Sequence, residues 1–162
     1  MRRVVIVLAD ARARRSRGGG VMRWITHLGG ARATVGTGLL LVAVGERRLG
    51  LAVLVALTLS HVAVQVLKRA VARPRPCDAK GHPLALVDLP DPFSFPSGHA
   101  AAASAIATTL VLREPLLGLL VVPLAALVSA SRVKLRVHHV SDMVAGVALG
   151  VGGGAGAVLL FF

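Results

Sequence analysis

From Leu49 to Leu67 the chain runs for 19 residues without a Lys, Arg, Asp or Glu. A bilayer core is about 30 Å thick, and a helix rising about 1.5 Å per residue crosses it in roughly 20 residues. Inside lipid each backbone N–H and C=O must find its partner within the segment, so a run of this kind is helical. Its second half carries Ser60, His61 and Gln65, and polar groups at that depth face a bundle interior. His61 is therefore expected to make an interhelical hydrogen bond, since no partner at motif spacing gives it a chemical role.

Further apolar runs occupy 33–45, 100–112, 116–130 and 140–162. Hydrophobic residues make up 55% of the chain but aromatic residues only 3%, which fits a membrane protein better than a soluble domain. The expected fold is all-α: a polytopic transmembrane helix bundle of about five spans, with an N-terminal interfacial basic segment. The run 33–45 is short, and must recruit preceding residues or thin the bilayer locally. The helix from Ala100 is rich in Ala, Ser and Thr, and the last one presents Gly152, Gly153, Gly154 and Gly156. Small residues of this kind allow close helix packing.

Residues 1–32 hold eight arginines and one acid, and form a basic arm separate from the membrane domain at 33–162. The apolar run Val4–Leu8 is too short for a signal-peptide core. Trp24, Ile25 and Leu28 suit an interfacial helix in the headgroup layer with arginines on anionic lipid; a basic tail is the competing reading over residues 1–20. The net charge of +12 is not that of a nucleic-acid binder, because the cations lie between apolar runs without interleaved aromatics. Cys77 is the sole cysteine, so it has no internal disulfide partner and is expected to be a spectator thiol.

Three polar stretches carry the chemistry. Lys68, Arg69, Arg73 and Arg75 concentrate charge where Pro74 and Pro76 end a helix. A snorkelling basic end accounts for Arg69 and Arg73. The Pro-broken loop 77–96 follows, with Leu84–Leu89 expected to dip into the interface. Ser97 and Gly98 then open a helix, whose unpaired backbone N–H groups and positive dipole end make an anion site. In the third stretch, Asp142 lies one helical turn beyond His138, placed to accept a hydrogen bond from the ring and fix its tautomer. Such an imidazole is a nucleophile or a general base. Arg132, Lys134 and Arg136 beside it bind phosphate oxygens well, which points to phosphoryl transfer. His139 points about 100° away from its neighbour on a helix and is the weaker candidate. A zinc site built on these histidines is disfavoured by the surrounding cations, and neither metal nor cofactor is expected. Counting spans places all three stretches on one side of the membrane.

Taken together, Lys68 with Arg75-Pro76, Pro96-Ser97-Gly98-His99, and Ser131-Arg132 with His138 and Asp142 resemble the three-part signature of the type 2 phosphatidic acid phosphatase family. The likeness covers Leu49 to the C-terminus. It implies a transmembrane lipid phosphatase domain in which His138 attacks phosphorus to give a phosphohistidine and Asp142 orients it. His99 protonates the leaving oxygen, and Lys68, Arg75, Ser97, Gly98 and Arg132 hold the phosphate. Lys134 and Arg136 depart from the usual pattern, and suit either a more highly charged headgroup or neighbouring lipid phosphates.

The expected partners are a lipid phosphate substrate and the membrane itself, in a multi-pass protein of the cell membrane. The side carrying the motifs holds 16 Lys and Arg against 3 on the other, which by the positive-inside rule makes the site cytoplasmic. A polyprenyl-linked phosphate, such as a phosphosugar, is then the first choice, with phosphatidic acid or phosphatidylglycerol phosphate as alternatives. An outward-facing site favours undecaprenyl diphosphate. A non-enzymatic, anionic-lipid-binding protein would account for the cations, but not for His99, His138 and Asp142 on one face.

Overall fold

The computed structural model describes residues 20–89 and 91–162, so most of the expected basic arm lies outside the described residues. Among the described residues six helices follow in order: α1 (Gly20–His27), α2 (Ala31–Ala43), α3 (Arg47–Val71), α4 (Gly98–Arg113), α5 (Gly118–Lys134) and α6 (Val140–Phe161). A 3₁₀ turn, Pro115–Leu117, leads into α5. Among the described residues the only β features are the isolated bridges Pro74–Phe93 and Cys77–Pro83. The architecture is the expected all-α membrane bundle.

Arg47–Val71, Pro115–Lys134 and Val140–Phe161 are long and apolar enough to cross a membrane. Leu116, Leu119, Leu120, Leu159 and Leu160 stand exposed on two of them, as lipid-facing side chains must. The other two expected spans correspond to α2, of 13 residues, and α4, of 16. At about 1.5 Å per residue both fall short of the hydrocarbon core. For α4 this matters least, because it packs against α3, α5 and α6 together.

The packing of α3 follows a stripe spaced by four residues. Ala52, Ala56, Ser60, Val64 and Lys68 are all buried, and they form one ridge facing the bundle. That stripe turns His61 outward, where it is exposed, contrary to the interhelical hydrogen bond expected of it. Ser60 is the buried polar residue there, and its hydroxyl donates to the Leu57 carbonyl at 3.1 Å. The core between helices gathers Val53, Ala56, Leu57, Ala105 and Ala157.

Close approach of α6 to α4 depends on a second stripe. A Cβ at Gly146 would collide with the Ser97 carbonyl, one at Gly150 with the Ala101 carbonyl, and one at Gly154 with the Ala105 carbonyl. Three glycines at a four-residue spacing thus lie against three carbonyls at the same spacing. Gly152 and Gly156, expected on the packed face, have open space around them instead.

The helix ends shape one membrane face. Ala72 adopts a left-handed conformation at φ 46° and closes α3 before Pro74. The following loop is tied down along its length. Leu84 N donates to Pro76 O at 3.1 Å, and Leu86 N to Leu135 O at 3.1 Å. Short α1 packs on α5 at the same face, with Trp24 and Leu28 exposed and Thr26 buried. Its Arg23 turns toward protein, not toward lipid: Nη2 donates to Leu86 O at 2.7 Å.

Candidate active site

The three polar stretches meet at this face. Ser97 N donates to Asp142 O at 2.9 Å, and Arg75 Nη1 to Val137 O at 3.0 Å, joining the end of α3, the start of α4 and the α5–α6 link. The convergence expected from the span count is therefore present in the fold.

His138 lies at its centre, 4% exposed. Its Nδ1 sits 2.6 Å from the Ser94 carbonyl, which can only accept, so the ring nitrogen carries the proton there. The lone pair then resides on Nε2. Burial lowers the pKa of this imidazole, the charges of Arg132 and Arg75 add to the effect, and the ring is neutral at physiological pH. A neutral ring with a bare, fixed Nε2 is equipped to act as a nucleophile.

Asp142 departs from the expected role of direct partner to that ring. Its Oδ2 is 3.6 Å from His138 Nδ1, a longer approach than the Ser94 carbonyl makes. The carboxylate is fully buried and is otherwise engaged. Oδ2 accepts from His139 N at 2.8 Å, capping α6, and Oδ1 accepts from Arg73 Nη1 at 2.9 Å. It reaches His138 mainly through its charge and by fixing the start of the helix. Arg73, expected as a snorkelling cation, also donates to Ser141 Oγ at 2.7 Å, and so belongs to the frame of the site. His139 is the N-cap residue of α6 and is half-buried.

Lys68 and Arg75 are both buried, and both contact Asp91. Lys68 Nζ lies 2.7 Å from Oδ2, Arg75 Nη2 lies 3.2 Å from Oδ1, and Arg75 Nε donates to the Asp91 carbonyl at 2.9 Å. Ser97 caps α4, its hydroxyl accepting from Ala100 N at 3.5 Å. Gly98 follows as the first helical residue, where an N–H has no acceptor within the helix. His99, one residue further, lines a cavity of about 390 Å³ together with Arg132. The buried Arg132 donates from Nη1 to Thr26 Oγ1 at 2.7 Å, while its Nε has no hydrogen-bond partner. Lys134 and Arg136 are exposed and do not line this cavity.

All eight expected site residues therefore gather around one face of the bundle. Sequence reasoning missed Asp91, Ser94, Thr26 and the inward turn of Arg73. The α3 stripe was a usable signal for the burial of Lys68, but a main-chain acceptor such as Ser94 O leaves no mark in residue type. Chemically, the set offers a neutral imidazole nucleophile, a second imidazole, and several cations suited to the oxygens of a tetrahedral anion.

A multi-pass membrane protein with a paired-histidine, cation-rich site is the class defined by this architecture. Residues 49–162 match the PAP2 superfamily, and the chain belongs to it. It is 36% identical over 118 residues to an undecaprenyl-diphosphatase of Sulfolobus acidocaldarius, covering 70% of this chain and 56% of that protein. It is 40% identical over 100 residues to the decaprenylphosphoryl-5-phosphoribose phosphatase of Mycobacterium tuberculosis, covering 59% and 52% respectively. The chain thus spans about half the length of these relatives. A PAP2-type phosphatidylglycerolphosphate phosphatase from Bacillus subtilis superposes with a TM-score of 0.74 at 27% identity, over 96% of this chain and 86% of that one. Aquifex aeolicus LpxE shares the fold, with a TM-score of 0.75 at 23% identity over 94% of each chain.

Proposed function

We propose that this protein is a lipid phosphatase that works through a phosphohistidine and needs no metal. The observation that carries the reading is the state of His138: neutral, buried, and held by Ser94 O so that Nε2 is free to attack. In the first step Nε2 forms a bond to phosphorus as the bond from phosphorus to the leaving oxygen breaks. His99 gives that oxygen a proton. In the second step His99 takes a proton from water, whose oxygen displaces Nε2 and releases inorganic phosphate. Lys68, Arg75 and Arg132, with the Ser97 hydroxyl and the Gly98 N–H, bind the equatorial oxygens as charge redistributes. Asp142 stabilises the imidazole as it becomes cationic.

The substrate favoured is a polyprenyl-linked phosphate in the cell membrane, reached from the cytoplasmic side. Support for the side comes from the charge asymmetry, and from α1, which brings residues 20–27 of the cation-rich segment to the motif face. Names of the relatives support a polyprenyl chain, and also keep phosphatidylglycerol phosphate and undecaprenyl diphosphate as alternatives.

The test is phosphate release by the purified protein from a panel of these lipids, with and without chelator. Activity that survives chelation, is blocked by vanadate and disappears in His138→Ala supports the reading. Full activity in that variant refutes it, and so does dependence on an added divalent cation.

A further inference from the structure

His99 lies against a turn that precedes the family-matched region. Gly29 and Gly30 join α1 to α2, and Gly29 is buried. A Cβ at Gly29 would stand 2.5 Å from Val128 Cγ1, 3.1 Å from the His99 carbonyl oxygen and 3.3 Å from His99 Cβ. One at Gly30 would stand 3.9 Å from His99 Nε2, in van der Waals contact with the ring. The turn is tied down on both sides. Gly29 N donates to Thr26 O at 3.1 Å and Gly30 N to His27 O at 3.0 Å, while Thr26 Oγ1 accepts from Arg132 at 2.7 Å. Gly30 is also the N-cap residue of α2, its carbonyl accepting from Thr34 N at 3.0 Å. The His138 ring is oriented by the Ser94 carbonyl, but among the described residues the His99 ring has no hydrogen-bond partner. Packing must orient it instead, and the bare backbone of this turn is part of that packing.

We propose that Gly29 and Gly30 are positioning residues for the acid–base step. Gly29 seats the main chain and Cβ of His99, and Gly30 keeps the side of Nε2 open to the leaving oxygen and then to water. The inference rests on the phosphatase reading and extends its machinery to a turn outside the family-matched residues. In the first step a proton passes from Nε2 to the leaving oxygen as the bond from that oxygen to phosphorus breaks. In the second step Nε2 takes a proton from the water that displaces His138. Both transfers need an oxygen within about 2.6–3.2 Å of Nε2. A methyl group 3.9 Å from that nitrogen takes up part of the space through which the oxygen and its attached carbon approach, and a branched side chain takes up more. Gly30 has φ −77° and ψ 156°, values open to any residue, so a substitution there acts through its side chain and not through backbone strain. The nearest atom to that side chain, His27 O at 3.1 Å, has to yield by only a few tenths of an ångström.

The experiment follows phosphohistidine formation by rapid quench, with the full chain in detergent and two phosphomonoesters. Phosphatidylglycerol phosphate has an alkyl leaving oxygen that needs a proton, whereas nitrophenyl phosphate releases a stable anion and needs none. Gly30→Ala and Gly30→Val are expected to slow the alkyl ester about tenfold or more, part of the ~10²–10⁴ that proton transfer is worth, and the aryl ester less than about threefold. The ratio of the two rates does not depend on how much of a variant is folded, so a folding defect cannot imitate this outcome. His99→Ala is expected to move the ratio further in the same direction. Gly36→Ala, in open space on α2, is expected to leave it unchanged. Equal slowing of both esters in the Gly30 variants, or no slowing of either, overturns the positioning role while leaving the phosphatase standing. Phosphohistidine from neither ester in wild type removes both.

Discussion

Asp91 Oδ2 lies 2.7 Å from Lys68 Nζ, so a cation assigned to the substrate phosphate is engaged by a carboxylate of the protein itself. The other carboxylate oxygen is 3.2 Å from Arg75. Partial burial alone would raise the pKa of this acid, but the hydrogen bond and charge of Lys68, with the charge of Arg75, hold it below the ordinary carboxylate range. Asp91 thus neutralises two buried cations and rests where an anionic group is proposed to bind.

Two consequences of opposite sign follow for Asp91→Asn. Stability should fall by about 1–3 kcal/mol, the usual cost of removing a charge-assisted hydrogen bond from a partly exposed network. Vanadate should inhibit at lower concentration, because it no longer competes with a carboxylate. Thermal unfolding in detergent and vanadate titration read the two effects separately, and weaker vanadate inhibition would make Asp91 a support for the cations instead of a competitor.

Thr26→Val removes the hydroxyl that receives Arg132 while keeping the side-chain shape. A hydrogen bond to a charged group contributes about 1.5–3 kcal/mol, so kcat/KM should drop about tenfold or more. Thr26→Ser should recover most of it. Equal losses in Val and Ser variants would mean that packing of α1, not the hydroxyl, supports activity.

The pH dependence follows from His138. Its pKa is lowered from the ordinary 6.5, so the ring stays unprotonated and able to attack as the pH drops through that value. Phosphohistidine formation in rapid quench should therefore show no acid limb near 6.5, only one at lower pH. For stability, an unfolded chain protonates this residue below about 6.5 and the folded one does not, so this residue's contribution to stability declines as pH falls below 6.5. The unfolding midpoint measured between neutral pH and pH 5 should decrease, and less so in His138→Asn.

Gly150→Ala should disrupt the bundle, because the added methyl meets the Ala101 carbonyl, a backbone atom that cannot step aside. Overpacking of this type costs about 1–3 kcal/mol. Gly152→Ala, in open space, should be tolerated and serves as the control. Thermal unfolding of the two variants side by side checks the difference.

Much of the site could be read along the chain because its parts carry charge or a titratable ring at fixed spacing. Lys68, His99, Arg132, His138 and Asp142 stand where their segments end, and counting apolar runs sufficed to bring those ends together. Three contributions were hidden for physical reasons. Ser94 acts through its carbonyl, which every residue has. Thr26 meets Arg132 across 106 positions, and no local pattern pairs them. Asp91 lies 23 residues from Lys68 in a loop without periodicity. His61 was misplaced because hydropathy identifies a membrane helix without fixing its rotation. The spacing of Ala52, Ala56, Ser60 and Val64 does fix it, and puts Lys68 on the inner side.

The glycine contacts between α4 and α6 reach beyond packing. The helix whose carbonyls they touch begins with Ser97, Gly98 and His99, and the helix that bears the glycines begins just after His138. Sliding one past the other by a fraction of a turn would drive carbonyl oxygens out of their notches and, in the same movement, change the separation of the two imidazoles. The interlocked backbones act as a vernier for the candidate site at the end of the bundle.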